Sequence, residues 1–393
     1  MPIVNRFADL HNDIVAWRHD LHRHPEIMYE VHRTAATVAE KLGQFGVDEV
    51  VTGLGRTGVV GVIRGRKSAS GKVIALRADM DALPMTETSG VAWSSTTPGK
   101  MHACGHDGHT AMLLGAARYL AETRNFDGTA VVIFQPAEEG GGGGKAMIED
   151  GLMDRFGIEE VYGMHNMPGM AVGDFAMRPG PMLAATDEFT ITIRGVGGHA
   201  ARPHATIDPI LIGTALVQSL QSIVSRSVNP VDAAVVSVTR FHAGDAYNVI
   251  AEVGEVAGTV RTLKAGIRDL VEARMREIVA GIAAAYGAKI DLHYDRNYPV
   301  TSNHKRQVEF AATVAAEIVG ETRVDTDVPP LMGGEDFSYM LEQRPGAMVF
   351  LGNGDTAGLH NPAYDFNDEA IGVGCSYWVR LVERAMSATS TAG

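Results

Sequence analysis

The sequence predicts an α/β protein whose mostly parallel central sheet is flanked by helices, with a smaller α+β domain inserted into it. Apolar strand-like runs alternate with helical patterns in the first part of the chain and again near its C-terminal end, as in α/β proteins. Between these parts the order becomes β-α-β-β-α-β, a ferredoxin-like unit that can stand alone as a domain. Candidate functional groups follow the ends of several strands, where sites of α/β sheets gather. We therefore predict one domain of residues 1–185 and 298–393 and one inserted domain of residues 186–297.

The N-terminal segment, from about Arg6 to Gly46, predicts helices interrupted at Pro25, because its apolar residues recur at helical spacing. The segment also contains five histidines among arginine and aspartate residues, on a face that we interpret as solvated. We interpret these histidines as surface residues rather than ligands; they are His11, His19, His22, His24 and His32.

Four apolar runs predict buried strands at residues 58–63, 73–76, 130–134 and 161–164, and a strong helical pattern covers residues 111–121. The second strand leads into Asp79 and Asp81, and the third leads into Glu138 and Glu139. His165 follows the fourth strand. Carboxylates and a histidine thus stand where predicted strands stop.

The segment of residues 101–110, MHACGHDGHT, packs one cysteine and three histidines into a chain that has two cysteines in all. Ligands this dense, with Gly105 and Gly108 between them, are typical of a transition-metal site, because glycine lets backbone and side chains converge. The glycines favour a tight turn over a straight strand. A histidine-rich surface turn is the alternative, and the further acidic and histidine motifs downstream, including that of His360, argue against it.

The neighbouring Glu138 and Glu139 suit metal-assisted hydrolysis. Adjacent side chains on extended backbone point to opposite sides, so one carboxylate can bind metal while the other acts as general base on the bound water. The alternative is a solvated glutamate pair on a loop. The position directly after a buried strand argues against that alternative.

The inserted region and the chain after it complete the predicted fold. In the insertion we predict strands at residues 189–193, 233–241, 253–263 and 289–294 and helices at residues 207–226 and 267–286. The α/β pattern then resumes with a helix at residues 305–319, a strand at residues 348–351 and a helix at residues 368–386.

Charge and composition exclude several classes of function. The formal net charge of -13 argues against a nucleic-acid partner, because such a surface would not neutralise phosphates. Two cysteines cannot form a disulfide framework, which fits a reducing compartment. No signal peptide or membrane span is visible, so we expect a cytoplasmic enzyme without membrane partners.

Seven motifs stand in order along nearly the whole chain. They are RADMDALP at 77–84, MHACGHDGHT at 101–110, PAEEG at 136–140, GMHN at 163–166, GGHAA at 197–201, MGGEDFS at 332–338 and LHNP at 359–362. Together they resemble the di-metal aminoacylase/carboxypeptidase superfamily. Within it they are similar to the amidohydrolase branch of hippurate hydrolases, N-acyl-L-amino-acid amidohydrolases and auxin-conjugate hydrolases.

This resemblance implies a set of functional residues and two divalent metal ions per subunit, Zn²⁺ or Mn²⁺, with Co²⁺ or Ni²⁺ as alternatives. The implied metal ligands are Cys104, His106, Glu139, His165 and His360. Glu138 is implied as the general base that later protonates the leaving amine. The inserted domain is implied to act as a lid and dimerisation domain, in which His199 reaches the active site of the partner subunit and helps polarise the scissile carbonyl. Asn248 and Arg261 match residues that contact the substrate, Arg261 through the substrate carboxylate.

The sequence departs from the wider superfamily at one place. Most members have His-x-Asp after the early strand, with the histidine as a ligand, whereas this chain has Arg77-Ala78-Asp79. The resemblance to the branch implies that Cys104 and His106 supply the missing ligation. A thiolate ligand favours Zn²⁺ or another borderline ion.

We therefore expect hydrolysis of the amide bond of N-acyl or N-aroyl L-amino acids, with hippurate-like compounds as the central example. One alternative is a dipeptidase, aminopeptidase or carboxypeptidase on the same scaffold. Another is a binding protein that kept the fold without activity. The complete ligand set and Glu138 argue against the second alternative.

Overall fold

The computed structural model describes residues 2–387, with side chains from residue 5 onward. The chain divides into two compact units. The first comprises Met1–Gly180, Ser302–Pro329 and Asp336–Gly393, and the second comprises Pro181–Thr301 and Pro330–Glu335. The insertion that we predicted at residues 186–297 lies within the second unit, which additionally takes up a short segment after residue 329.

The elements follow in chain order. Before the second unit they are α1 Pro2–Arg23, α2 His32–Gln44, β1 Glu49–Leu54, β2 Gly58–Arg64, β3 Val73–Asp79, α3 His106–Thr123, β4 Thr129–Gln135, α4 Gly143–Glu149, α5 Leu152–Arg155, β5 Glu160–Pro168 and β6 Phe175–Ala176. The next elements are β7 Gly180–Leu183, β8 Ala185–Arg194, β9 Gly198–His199, α6 Pro209–Ser222, β10 Ala234–Ala243, β11 Val249–Ile250, β12 Val253–Thr262, α7 Ala265–Tyr286, β13 Lys289–Arg296 and β14 Thr301–Asn303. The chain ends with α8 Lys305–Val319, β15 Val324–Asp325, α9 Ser338–Gln343, β16 Gly346–Gly354 and α10 Ala370–Ala385.

The first unit is built on an eight-stranded sheet with the order β1-β2-β4-β3-β5-β16-β6-β15. The run β4-β3-β5-β16 is parallel, whereas β1 and β2 add antiparallel strands at one side. Helices α1, α3 and α10 pack against one another, and α3 also packs on β3. The predicted fold class, a mostly parallel sheet flanked by helices, is confirmed.

The parallel strands are buried almost throughout, which explains their continuous apolar sequences. Because they are parallel, their carboxyl ends meet at one edge of the sheet. That edge receives the residues that follow β3 and β4, including Asp81 and Glu138, and His165 near the end of β5. The topology alone therefore gathers groups that lie far apart in sequence.

The second unit contains a four-stranded antiparallel sheet with the order β10-β12-β8-β13. Helices α6 and α7 pack on this sheet and on each other. Along β8 buried and more exposed residues alternate, as expected of a strand with one face on a core. A short pair, β9 with β11, lies outside the sheet and was not predicted.

The prediction that the N-terminal histidines are surface residues is wrong for His22. His32 is exposed and His11, His19 and His24 are half-buried, but His22 is fully buried. Its ring nitrogens face the carboxylates of Asp107 and Glu87. These partners are distant in sequence, so the residues next to His22 in the chain did not indicate its burial. None of the helices within residues 2–387 is long and apolar enough to cross a bilayer.

Candidate metal centre

The cysteine–histidine segment forms a turn that runs directly into a helix. Gly105 has φ +88° and caps α3, which begins at His106 rather than at residue 111 as predicted. A β-carbon at Gly105 would lie 2.3 Å from Nδ2 of Asn166, so glycine is required by both the backbone angle and the space. This turn buries Cys104 and His106 together.

His165, in β5, faces the thiol of Cys104. Its Nε2 lies 3.4 Å from Cys104 Sγ, and its Nδ1 lies 2.7 Å from the carbonyl oxygen of Asn166. Because Nδ1 donates to that carbonyl, Nε2 keeps a lone pair directed toward the thiol. Burial holds the pKa of His165 well below its ordinary value, so the ring is neutral, as a metal ligand must be.

The Glu138–Glu139 loop is held at both ends by buried aspartates. The carboxylate of Asp81 accepts the backbone N–H groups of Glu138 and Glu139, at 2.9 and 3.1 Å. The carboxylate of Asp336 accepts the N–H of Gly144, at 2.8 Å, where α4 begins. These bonds stabilise a backbone in which Ala137 takes a left-handed φ of +54°.

His360 approaches the same site from the C-terminal part of the chain. It has φ +60°, and its backbone N–H donates to the carbonyl of Ala103 at 2.7 Å. Its Nε2 lies 3.2 Å from Oε1 of Glu139, and the same Glu139 oxygen lies 4.0 Å from Nε2 of His106. One oxygen of Glu139 therefore faces both histidines, which would let the three residues hold cations together.

The five predicted ligands and the predicted base thus lie in one cluster within the first unit. Their ligand atoms lie within 4.8 Å of one another in three groups. The groups are Cys104–His106–His165, Cys104–Glu139–His360 and His106–Glu138–Glu139.

The chemistry of this cluster fits divalent cations. Nε2 of His106 is buried and has no hydrogen-bond partner within residues 2–387, although Oδ2 of Asp79 lies 3.7 Å away. Burial opposes a charge on His106, but Asp79 and the other carboxylates around it raise its pKa to about 10. Buried carboxylates beside an imidazole nitrogen that has no hydrogen-bond partner are what a bound cation would satisfy.

The other two histidines of the ten-residue segment have different surroundings. His109 places Nδ1 2.7 Å from Oδ1 of Asp79 and accepts the N–H of Asn166 at Nε2, at 2.9 Å. With both nitrogens used, it orients its neighbours and is not free to bind metal. His102 is fully buried, and burial lowers its pKa to about 3.

Arg77 has a structural role that the sequence alone did not indicate. The guanidinium is fully buried and donates to Asp79 at 2.7 Å, to Asp336 at 2.9 Å and to Gln135 at 2.9 Å. Burial favours a neutral Asp79, yet the charges of His106 and Arg77 hold the pKa of Asp79 well below its ordinary range. Arg77 therefore joins the ends of β3 and β4 to Asp336 of the MGGEDFS motif. The signal that could have found this role was the replacement of a histidine by arginine in the first motif.

The predicted site residues of the inserted region lie in the second unit. His199 in β9 is exposed and pairs with Val249 of β11, and the carbonyl of Asn248 accepts the N–H of Ala200 at 3.0 Å. His199 and Asn248 are therefore brought together. Arg261 lies in β12, half-buried, and donates to the carbonyl of Val260 at 3.0 Å.

Comparisons with known proteins identify the family to which this chain is similar. The sequence model of peptidase family M20/M25/M40 matches residues 75–384. A hippurate hydrolase of Campylobacter jejuni is 43% identical over 381 residues, covering 97% of this chain and 98% of that protein. Thermostable carboxypeptidase 2 of Saccharolobus solfataricus is 41% identical over 355 residues, covering 89% of this chain and 88% of that protein. The crystal structure of the Bacillus subtilis YXEP protein, a dinuclear metal binding peptidase, has a TM-score of 0.83 at 34% identity and covers 97% of this chain and 100% of that chain.

Proposed function

The chain belongs to peptidase family M20/M25/M40, and from this premise we propose that it hydrolyses the amide bond of N-acyl or N-aroyl L-amino acids such as hippurate. The chain is a metal-dependent amidohydrolase. The observation that carries the substrate proposal is the convergence of Cys104, His165 and His360 around the Glu138–Glu139 loop, together with the 43% identity to a hippurate hydrolase.

We propose that Cys104, His106, Glu139, His165 and His360 hold two divalent cations, Zn²⁺ or Mn²⁺, with Co²⁺ or Ni²⁺ as alternatives. When bound, such ions polarise the scissile carbonyl and lower the pKa of water. Glu138 removes the proton of the attacking water and then delivers it to the nitrogen of the leaving amino acid. The two N–H bonds that Asp81 accepts fix the backbone of the base while it moves that proton.

We further propose a homodimer formed through the second unit. Among the described residues, all the large apolar side chains that are exposed belong to this unit, and they include Ile210, Leu211, Phe241 and Val249. Strand β10 is also an edge of its sheet, with backbone groups that a second copy could pair. In this proposal His199 donates to the developing oxyanion at the site of the partner subunit, and Asn248 and Arg261 contact the substrate.

A second candidate function is carboxypeptidase activity, favoured by the 41% identity to an archaeal carboxypeptidase. The two activities differ in the acyl group of the amide bond that is cleaved. It is a simple acyl or aroyl group for the amidohydrolase and a peptide for the carboxypeptidase. We also propose a cytoplasmic location, supported by two free, buried cysteines, Cys104 and Cys375.

The test compares substrates with the metal-loaded protein. Release of glycine from hippurate and of amino acids from their N-acetyl derivatives is expected, with slower release of phenylalanine from hippuryl-phenylalanine. The reverse order of rates would favour the carboxypeptidase. If no N-acyl amino acid is cleaved by protein with verified metal content, the proposed function is wrong.

A further inference from the structure

A buried ion cluster in the first unit has no part in the chemistry proposed above. At its centre is Arg18 of α1, a guanidinium with no exposed surface. It donates to Asp368 at 2.9 Å and to Asp365 at 2.9 Å, and it lies 3.4 Å from Oδ2 of Asp107. Trp93 covers one face, with its ring 5.0 Å from the guanidinium carbon.

One turn further along α1, His22 adds a second cation to the same carboxylate. Its Nδ1 lies 2.9 Å from Oδ2 of Asp107, and its Nε2 lies 3.2 Å from Oε1 of Glu87. Because each ring nitrogen faces a carboxylate oxygen, both carry protons and the ring is an imidazolium. Asp107 is thus held by two cations that project from one face of α1.

The carboxylates that Arg18 joins belong to two segments that carry proposed metal ligands. Asp107 directly follows His106 in the first turn of α3, and Asp365 and Asp368 follow His360 in the chain. Arg18 is therefore a direct link between the turn that presents His106 and the segment that presents His360. Both of these proposed ligands face Glu139. The distance between His106 and His360 therefore affects how tightly a cation is bound.

A buried ion cluster is a poor source of stability, because desolvation offsets most of the attraction between its charges. A cluster that spans two ligand-bearing segments fixes their relative position more strictly than apolar packing would. We propose that Arg18 and His22 are positioning residues of the metal centre, which set the distance between His106 and His360. The proposal rests on the ligand set given under the proposed function.

The test measures Co²⁺ affinity and the absorption spectrum of the Co²⁺-loaded protein, without any substrate. Arg18→Met is expected to weaken Co²⁺ binding about 10–100-fold, as is typical when residues behind metal ligands are removed. The thiolate-to-Co²⁺ band of Cys104 is expected to shift or weaken, because the ligand geometry relaxes. Arg18→Lys, which keeps the charge but loses the planar fork, should fall between Arg18→Met and the wild type.

Arg6→Met is the matched control. Arg6 is also an arginine of α1 that bridges to α3, through Glu122 at 2.9 Å, but this pair is exposed and lies at the far end of α3 from His106. The control should bind Co²⁺ as the wild type does. If Arg18→Met does not fold, His22→Gln and Arg18→Lys decide the question by the same two measurements.

The outcomes separate this inference from the proposed function. Wild-type affinity and an unchanged Co²⁺ spectrum in the folded Arg18 and His22 variants would overturn the positioning role. An equal loss in Arg6→Met would also overturn it, since any α1–α3 ion pair would then suffice. If the wild-type protein itself binds no Co²⁺, the proposed metal centre fails first.

Discussion

The two units carry their predicted functional residues in opposite ways. In the first unit the proposed ligands Cys104, His106 and His165 are buried and fixed by hydrogen bonds to other buried groups. In the second unit His199 and Asn248 are exposed, and short backbone pairs hold them. Burying a cluster of charged groups destabilises the fold unless an oppositely charged group binds in it. An exposed histidine stays hydrated and has no such desolvation cost, even when it binds nothing. The first unit thus offers a buried cluster that fits a cation, and the second offers exposed residues that a partner would have to contact if they act in the proposed reaction.

Removing the metal should give the largest effect and tests the first half of this comparison. We expect chelation to abolish hippurate hydrolysis while the far-ultraviolet circular dichroism spectrum stays nearly unchanged. The hydrophobic core of the first unit is large enough to fold without metal, unlike a zinc finger. Activity should return when Zn²⁺ or Mn²⁺ is added back. Full turnover in protein with no measurable metal would contradict the two-metal assignment.

Replacing the proposed base Glu138 should lower turnover without lowering metal content, which separates proton transfer from metal binding in the first unit. We expect Glu138→Gln to lower kcat about 10²–10⁴-fold, because it removes the proton acceptor but none of the five ligands. Its metal content should match that of the wild type, whereas Glu139→Gln should lose metal. Glu149→Gln, on the neighbouring helix α4, serves as a control with normal turnover. A near-normal kcat in Glu138→Gln with both metals bound would show that the base lies elsewhere.

Substitutions of His199 test the second half of the comparison. His199→Ala should lower kcat about 10²–10³-fold, the usual loss for one oxyanion donor, and leave metal content unchanged. If the histidine acts in the partner subunit, mixing His199→Ala with Glu138→Ala chains restores roughly a quarter of all sites. Refolding the two variants together and assaying the mixture measures this recovery. No recovery despite proven subunit exchange would place His199 in its own chain's chemistry or in none.

The buried His22 should make the stability of the fold depend on pH, whereas the exposed histidines should not. This is the smallest effect among the four predictions. Burial disfavours the charge on His22, but Asp107 and Glu87 raise its pKa from 6.5 to about 9. The protonated His22 ring contributes its full stabilisation to the fold below pH 6.5. This contribution is lost as the pH rises to about 9, where the ring loses its proton. The shift corresponds to a fall of about 3 kcal/mol in the free energy of unfolding over that range.

Urea unfolding of the metal-free wild type and of metal-free His22→Gln at several pH values measures this contribution as the difference between them, because His106, whose pKa is also raised, affects both alike. His22→Gln should show a smaller fall between pH 6.5 and 9, because the variant has no proton to lose. His199→Gln should follow the wild type, since that side chain is exposed. Parallel curves for the wild type and His22→Gln would mean that His22 is already neutral in the folded chain.

The central sheet could be predicted because its evidence is local. The apolar runs at residues 73–76 and 130–134 lie within β3 and β4, and the predicted helix at residues 305–319 coincides with α8. The dense cysteine and histidine residues of segment 101–110 also indicated a metal site locally, whereas the five individual ligands came from the resemblance of the ordered motifs to a known family.

The supporting residues could not be predicted, because their partners are distant in sequence. Arg77 meets Asp336 across 259 positions, and Arg18 meets Asp368 across 350. The burial of His22 is set by Asp107 and Glu87, so its polar sequence neighbours gave the wrong prediction. Helix α3 begins at His106, five residues before the predicted start. The turn at Gly105 that allows this start depends on the distant Asn166, which leaves room only for a glycine.

The position of β16 between β5 and β6 has a consequence for how the protein is made on the ribosome. Strand β16 and His360 are synthesised after the whole of the second unit's sheet, which ends at Arg296. Until β16 is made, the sheet of the first unit lacks the strand that lies between β5 and β6, and His360 has not yet joined the other proposed ligands. At about 5–20 residues per second this interval lasts several seconds. If His360 binds metal as proposed, the complete ligand set exists only at the end of this interval.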